Sequence, residues 1–128
     1  MDAPKILEDT WAMLLRTRKR NGDWVGTPVN VAVEGDRAYF GTAASSAKVR
    51  RLRNFQAVEV APCTLRGRPT GRPFHARARL LEGDEAAAAE RRLRAKYPVV
   101  YRINVPLEHR LKRTHGVLYE LSDLTPIG

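Results

Sequence analysis

The stretch Tyr39–Asn54, YFGTAASSAKVRRLRN, decides how the rest of the chain is read. Tyr39 and Phe40 look like the end of a strand. Gly41–Ala47 is a turn of small residues, and a short basic helix follows. With no bulky side chain in the turn, a ligand can approach its backbone closely. Ser45 or Ser46 is placed to act as N-cap, its hydroxyl accepting from a first-turn amide. The free amides and the positive end of the helix dipole favour an anion just beyond that terminus. Lys48 and Arg51, three residues apart, are neighbours on one helix flank. Val49 and Leu52 point another way, towards a core. Hydroxyls of Thr42 and Ser46, the point charge of Lys48 and the planar fork of Arg51 together suit a phosphate. The competing reading is a solvated basic helix with no specific ligand, because charge runs are usually wet faces. The stretch is not a Walker loop, and no Gly-x-Gly-x-x-Gly follows any strand.

Outward from this stretch the chain reads as strands joined by tight turns. Leu14–Lys19 and Asp23–Val33 are expected as two strands joined at Asn21-Gly22, the strongest short-range hairpin signal. Pro28 removes one ladder donor from the second, so it belongs at an edge, a bulge or a ligand-facing position. Arg37–Thr42 returns as a third strand after Glu34-Gly35-Asp36. Ala57–Pro62 follows the basic helix. Phe74–Leu81 alternates, with His75, Arg77 and Arg79 on one face and Phe74, Ala76, Ala78 and Leu80 on the other. Gly116–Leu121 closes the set. Helices are expected near Pro4–Glu8, Ser46–Arg53 and Glu85–Lys96, the last stopping before Pro98. Leu107–Lys112 reads as a helical turn or two. The sum is a mainly β protein with inserted helices, its six strands mostly antiparallel around a small barrel.

At 128 residues the chain is expected to form one domain, 1–128, with a real core. No apolar run approaches the roughly 20 residues that cross a bilayer. The N-terminus lacks a secretory pattern, and Cys63 is the only cysteine, so the cytoplasm is the expected location. A formal net charge of +9 biases partners towards anions. Aromatic residues make up only 7% and are scattered, so stacking on single-stranded nucleic acid is poorly supported and no nucleic-acid partner is expected. His75, His109 and His115 show no metal-ligand spacing, and no metal site is expected. Cys63 reads as a buried, inert thiol. No nucleophile or acid–base motif is present, so no catalytic side chain is identified. If the protein is an enzyme, a cofactor brings the reactive group.

Several pieces in order carry a family resemblance. They are Leu14–Lys19 before Asn21-Gly22, Gly26-Thr27-Pro28-Val29, Tyr39-Phe40-Gly41-Thr42 and Ser46-Ala47-Lys48-Val49-Arg50-Arg51-Leu52-Arg53. Val58–Cys63, Arg66–Gly71 and Ala76–Leu80 follow. Together they resemble the split-barrel flavin and deazaflavin oxidoreductases related to pyridoxamine 5′-phosphate oxidase. Among these the chain is most similar to small members that use the deazaflavin coenzyme F-420. The likeness runs from Leu14 to Tyr97 and is poor after Pro98.

The resemblance implies a six-stranded antiparallel split β-barrel of the FMN-binding type. It implies a cofactor phosphate held by Thr42, Ser46, Lys48 and Arg51. The ring would lie along the backbone of Thr27, Pro28, Val29 and Asn30. It also implies a homodimer with the cofactor at the subunit interface. The expected function is hydride transfer from reduced coenzyme F-420 (an 8-hydroxy-5-deazaflavin) to a small conjugated substrate. The alternatives are an FMN-dependent enzyme of the pyridoxamine-phosphate-oxidase type and a carrier that binds the coenzyme without turnover. The coenzyme's long acidic tail suits the chain's positive charge.

Overall fold

A computed structural model of the chain describes residues 4–100 and 116–127. The elements in order are α1 (Lys5–Asp9), β1 (Ala12–Arg18), β2 (Trp24–Val29), β3 (Ala32–Glu34), β4 (Arg37–Ala43), α2 (Ala47–Asn54), β5 (Ala57–Cys63), β6 (Phe74–Leu81), α3 (Gly83–Lys96) and β7 (Gly116–Pro126). The helical turn expected at Leu107–Lys112 lies outside the described residues, as do His109 and His115.

The turn between β1 and β2 shows why local chemistry sets this hairpin. Gly22 takes φ +94°, where a side chain would be strained. The Asn21 side-chain oxygen accepts from the Asp23 amide at 3.0 Å, closing the turn locally. Every strand pairing is antiparallel, in the order β2-β1-β5-β6-β7-β4-β3. The sheet is therefore open, with β2 and β3 at its two ends. It also curls, because β2 comes up against β4. The inner face is apolar: Leu15, Val60, Ala76, Phe40, Tyr119 and Leu121 are buried. Phe40 stacks on its cross-strand partner Tyr119 with ring centroids 5.2 Å apart.

Six strands were expected and seven form among the described residues, because Asp23–Val33 is two strands rather than one. The break falls at Asn30-Val31. The Val31 amide donates to Tyr97 Oη at 3.3 Å. The Val31 carbonyl accepts from Lys96 Nζ at 2.7 Å and from Tyr97 Oη at 3.2 Å. With both backbone groups so occupied, Val31 takes no part in a ladder, and β3 crosses to the far end of the sheet to pair with β4.

Tyr97 is fully buried at the end of α3, and its hydroxyl also donates to the Trp11 carbonyl at 2.6 Å. It fastens α3 to the segment before β1. With Leu93, Ala32 and Leu118 it forms a second small core on the outer sheet face. On β6 the alternation of burial holds through Arg79; Leu80, on the face of Phe74, Ala76 and Ala78, is 46% exposed, and Leu81 is buried. On β7, Asp123 at φ +56° marks an irregularity where the register with β6 shifts between His75 and Arg77.

Candidate functional site

The turn from β4 into α2 brings two of the expected residues together. Thr42 Oγ1 and Ser46 Oγ lie 3.3 Å apart, both half-buried. Ser46 occupies the N-cap position with extended backbone (φ −70°, ψ 153°). Its side chain makes no capping bond, contrary to the expectation for Ser45 or Ser46. The Thr42 hydroxyl occupies it instead. The Val49 amide reaches the Ser46 carbonyl at 3.2 Å, which tightens the first turn. No acidic side chain lies in that turn, so nothing opposes an anion there.

Val49 and Leu52 are buried as expected, at 5% and 3% exposure, and this fixes how α2 faces the sheet. Arg50 is left exposed on the solvent side. Lys48 lies in the first turn of α2, and Arg51, three residues on, falls on the flank towards β1. There the Arg51 Nε donates to Thr17 Oγ1 at 2.6 Å. Thr17 is fully buried, so this bond fixes the base of the guanidinium while the rest of the fork stays half-exposed. Thr17 was not singled out in the sequence. It lies 34 residues from Arg51, and nothing local signals their contact.

The other expected segment lies on β2. Thr27 and Asn30 are half-buried, Pro28 is exposed and Val29 is buried. β2 pairs with β1 along one side only, with Leu15 opposite Thr27 and Leu14 opposite Pro28. Its other edge keeps backbone groups outside the ladder, and Pro28 sits where a missing donor costs nothing. Gly67 approaches this strand: a Cβ added there would lie 3.6 Å from Pro28 Cδ. The loop carrying Arg66 and Arg68 therefore borders the strand.

The opposite flank of α2 opens onto a cavity of about 700 Å³ that the sequence did not signal. Its apolar walls come from Val49 and Leu52 of α2, Ala78 and Leu80 of β6, and Val117 and Tyr119 of β7. Its charges are Arg37, Arg53, Arg77, Arg79 and Glu120. Glu120 is a buried carboxylate, 7% exposed. It accepts from Arg37 at 2.8 Å and pairs with Arg79 at 3.3 Å. Arg79 also pairs with Glu85 at 2.7 Å, holding the Glu85 carboxyl below its ordinary range. Burial pushes the Tyr119 hydroxyl up, and the nearby Arg53 charge pulls it partly back. Burial alone pushes the Cys63 thiol up, so the thiolate needed for nucleophilic chemistry is disfavoured.

No family model matches the chain, and no curated protein matches it in sequence. Solved structures match it in fold. A protein of unknown function from Agrobacterium tumefaciens superposes with TM-score 0.69 at 20% identity over 91% of this chain. This chain spans only 49% of that protein's length. A Listeria innocua protein described as a pyridoxamine 5′-phosphate oxidase gives TM-score 0.63 at 14% identity, covering 97% of this chain and 90% of its own. An F-420 reductase gives 0.58 at 16%, covering 97% and 92%. Heme-binding proteins share the fold as well. At these identities the likeness establishes the fold of the pyridoxamine-phosphate-oxidase-like proteins and carries no activity with it.

Proposed function

We propose that this chain is a split-barrel oxidoreductase that binds coenzyme F-420 and passes its hydride to a small conjugated substrate. The observation that carries the reading is the cradle at the start of α2. Two hydroxyls 3.3 Å apart, a helix N-terminus without a side-chain cap, Lys48 in the first turn, and Arg51 with only its Nε spent on Thr17 gather donors there. Such a set matches the chemistry of a phosphate. Thr42, Ser46, Lys48 and Arg51 would hold that group. The edge of β2 at Thr27, Pro28 and Val29, which no described strand pairs, and Asn30 just beyond it would offer backbone groups to a planar ring.

Bound there, a reduced deazaflavin supplies a two-electron reductant, and the protein's part is placement. Thr17 fixes the Arg51 fork, and the buried Val49 and Leu52 hold α2 so that Lys48 keeps to one flank. No described side chain on this flank is a ready proton donor, which favours solvent or the substrate's own surroundings as the proton source. The same absence supports a second reading, a carrier that binds the coenzyme without turnover. FMN is the alternative cofactor, since it presents a phosphate to the same groups. A homodimer is part of the proposal: β2 is an edge strand, and the half-exposed Trp11 leaves apolar surface to cover.

The test is purification from a host that makes coenzyme F-420, followed by the absorption spectrum and mass of whatever small molecule stays bound. A bound deazaflavin supports the reading. Bound flavin selects the FMN alternative, and a colourless protein that takes up neither in titration overturns it.

A further inference from the structure

We infer that the cavity on the other flank of α2 is a second, separate binding site, for an anion with an apolar body such as a medium-chain or aromatic carboxylate. This goes beyond the cofactor reading, because the cavity shares none of the residues assigned to the phosphate or the ring. Its volume of about 700 Å³ lies within the usual span of ligand sites, roughly 300–1,000 Å³.

Its charge balance selects the ligand. Glu120 is satisfied by Arg37 and Arg79, and Arg79 is satisfied further by Glu85. Arg53 and Arg77 line the same cavity, and among the described residues neither has an ion-pair partner. Two uncompensated guanidinium forks beside an apolar wall recruit a carboxylate or phosphate, which each can bind through two parallel bonds. The Tyr119 hydroxyl keeps its proton at neutral pH and lies near Arg53, so it adds a donor on the same side. Leu80, 46% exposed, is part of this lining. β6 also runs past its β5 partner here: the β5 ladder stops at Ala57 opposite Arg77, while β7 follows β6 to Leu81. Arg79 and Leu80 thus present to the cavity an edge that no strand among the described residues covers.

The test is calorimetric titration of the full chain with decanoate and, separately, with decan-1-ol, which has the same body without the anion. Decanoate should bind at one site, at least about tenfold more tightly than the alcohol. Arg53→Gln and Arg77→Gln should each weaken it about tenfold, while the solvent-facing Arg50→Gln leaves it unchanged. Lys48→Ala should also leave it unchanged, which separates this site from the cofactor cradle whether or not the cradle binds coenzyme. Circular dichroism of each variant checks that it is folded, and Arg53→Lys should retain part of the affinity. Equal binding of the alcohol, insensitivity to both cavity arginines, or loss in Lys48→Ala would each overturn the inference.

Discussion

In the proposed reading Arg51 serves two ends at once, and they can be separated. Its Nε is spent on the buried Thr17 hydroxyl, leaving the outer nitrogens of the fork for a ligand. Thr17→Val removes the acceptor and keeps the shape, so unfolding free energy in urea should fall by about 1 kcal/mol. The same variant should weaken cofactor binding, because the fork is no longer held in place. Unchanged stability would mean that the bond contributes nothing. Cys63 gives a second residue-scale prediction. Burial raises its thiol pKa in the folded state, so its contribution is complete below the unfolded value of about 8.5 and is lost as pH rises beyond it. The urea midpoint should drop as pH rises beyond about 8.5, and Cys63→Ala should flatten that drop. The meeting of Thr42 with Ser46 was legible in the sequence because the two are close in the chain on either side of one turn. Thr17, Arg77 and Tyr119 were not legible, because each meets α2 only through the sheet.

Among the elements, α3 shows how one side chain can fix a topology. Tyr97 and Lys96 at its end take up the Val31 backbone and the carbonyls of Trp11 and Leu7. Tyr97→Phe keeps the ring and removes the hydroxyl that donates its one proton to the Trp11 carbonyl, at 2.6 Å, and accepts from the Val31 amide. It should lower unfolding free energy by about 1–3 kcal/mol in urea, with native-like circular dichroism. A neutral result would mean that Val31 is held out of the ladder by something else. This clasp also explains which elements the sequence revealed. The Asn21-Gly22 hairpin, α2 and β6 are signalled by neighbouring residues, and they stand within a residue or two of expectation. The split of Asp23–Val33 is not signalled locally. Its β-branched alternation is that of one strand, and the groups that break it come from residues 96 and 97. The reach of β7 to Pro126 depends likewise on an irregular pairing with β6 that no local pattern announces.

For the whole molecule, an open curled sheet with α2 laid across one mouth places a basic cradle and an arginine-lined cavity on opposite flanks of a single helix. The proposed dimer should appear in light scattering at micromolar concentration as twice the 14.4 kDa chain, and a stable monomer would remove it. The central claim is that the start of α2 holds a cofactor phosphate. Fluorescence titration of coenzyme F-420, with FMN in parallel, into the wild type and the Lys48→Ala and Arg50→Ala variants tests it most directly. The account predicts tighter binding of coenzyme F-420 than of FMN. It predicts a loss of about one to two powers of ten for Lys48→Ala and less than about threefold for Arg50→Ala. Small, equal losses in the two variants would contradict it and leave α2 as an ordinary basic surface.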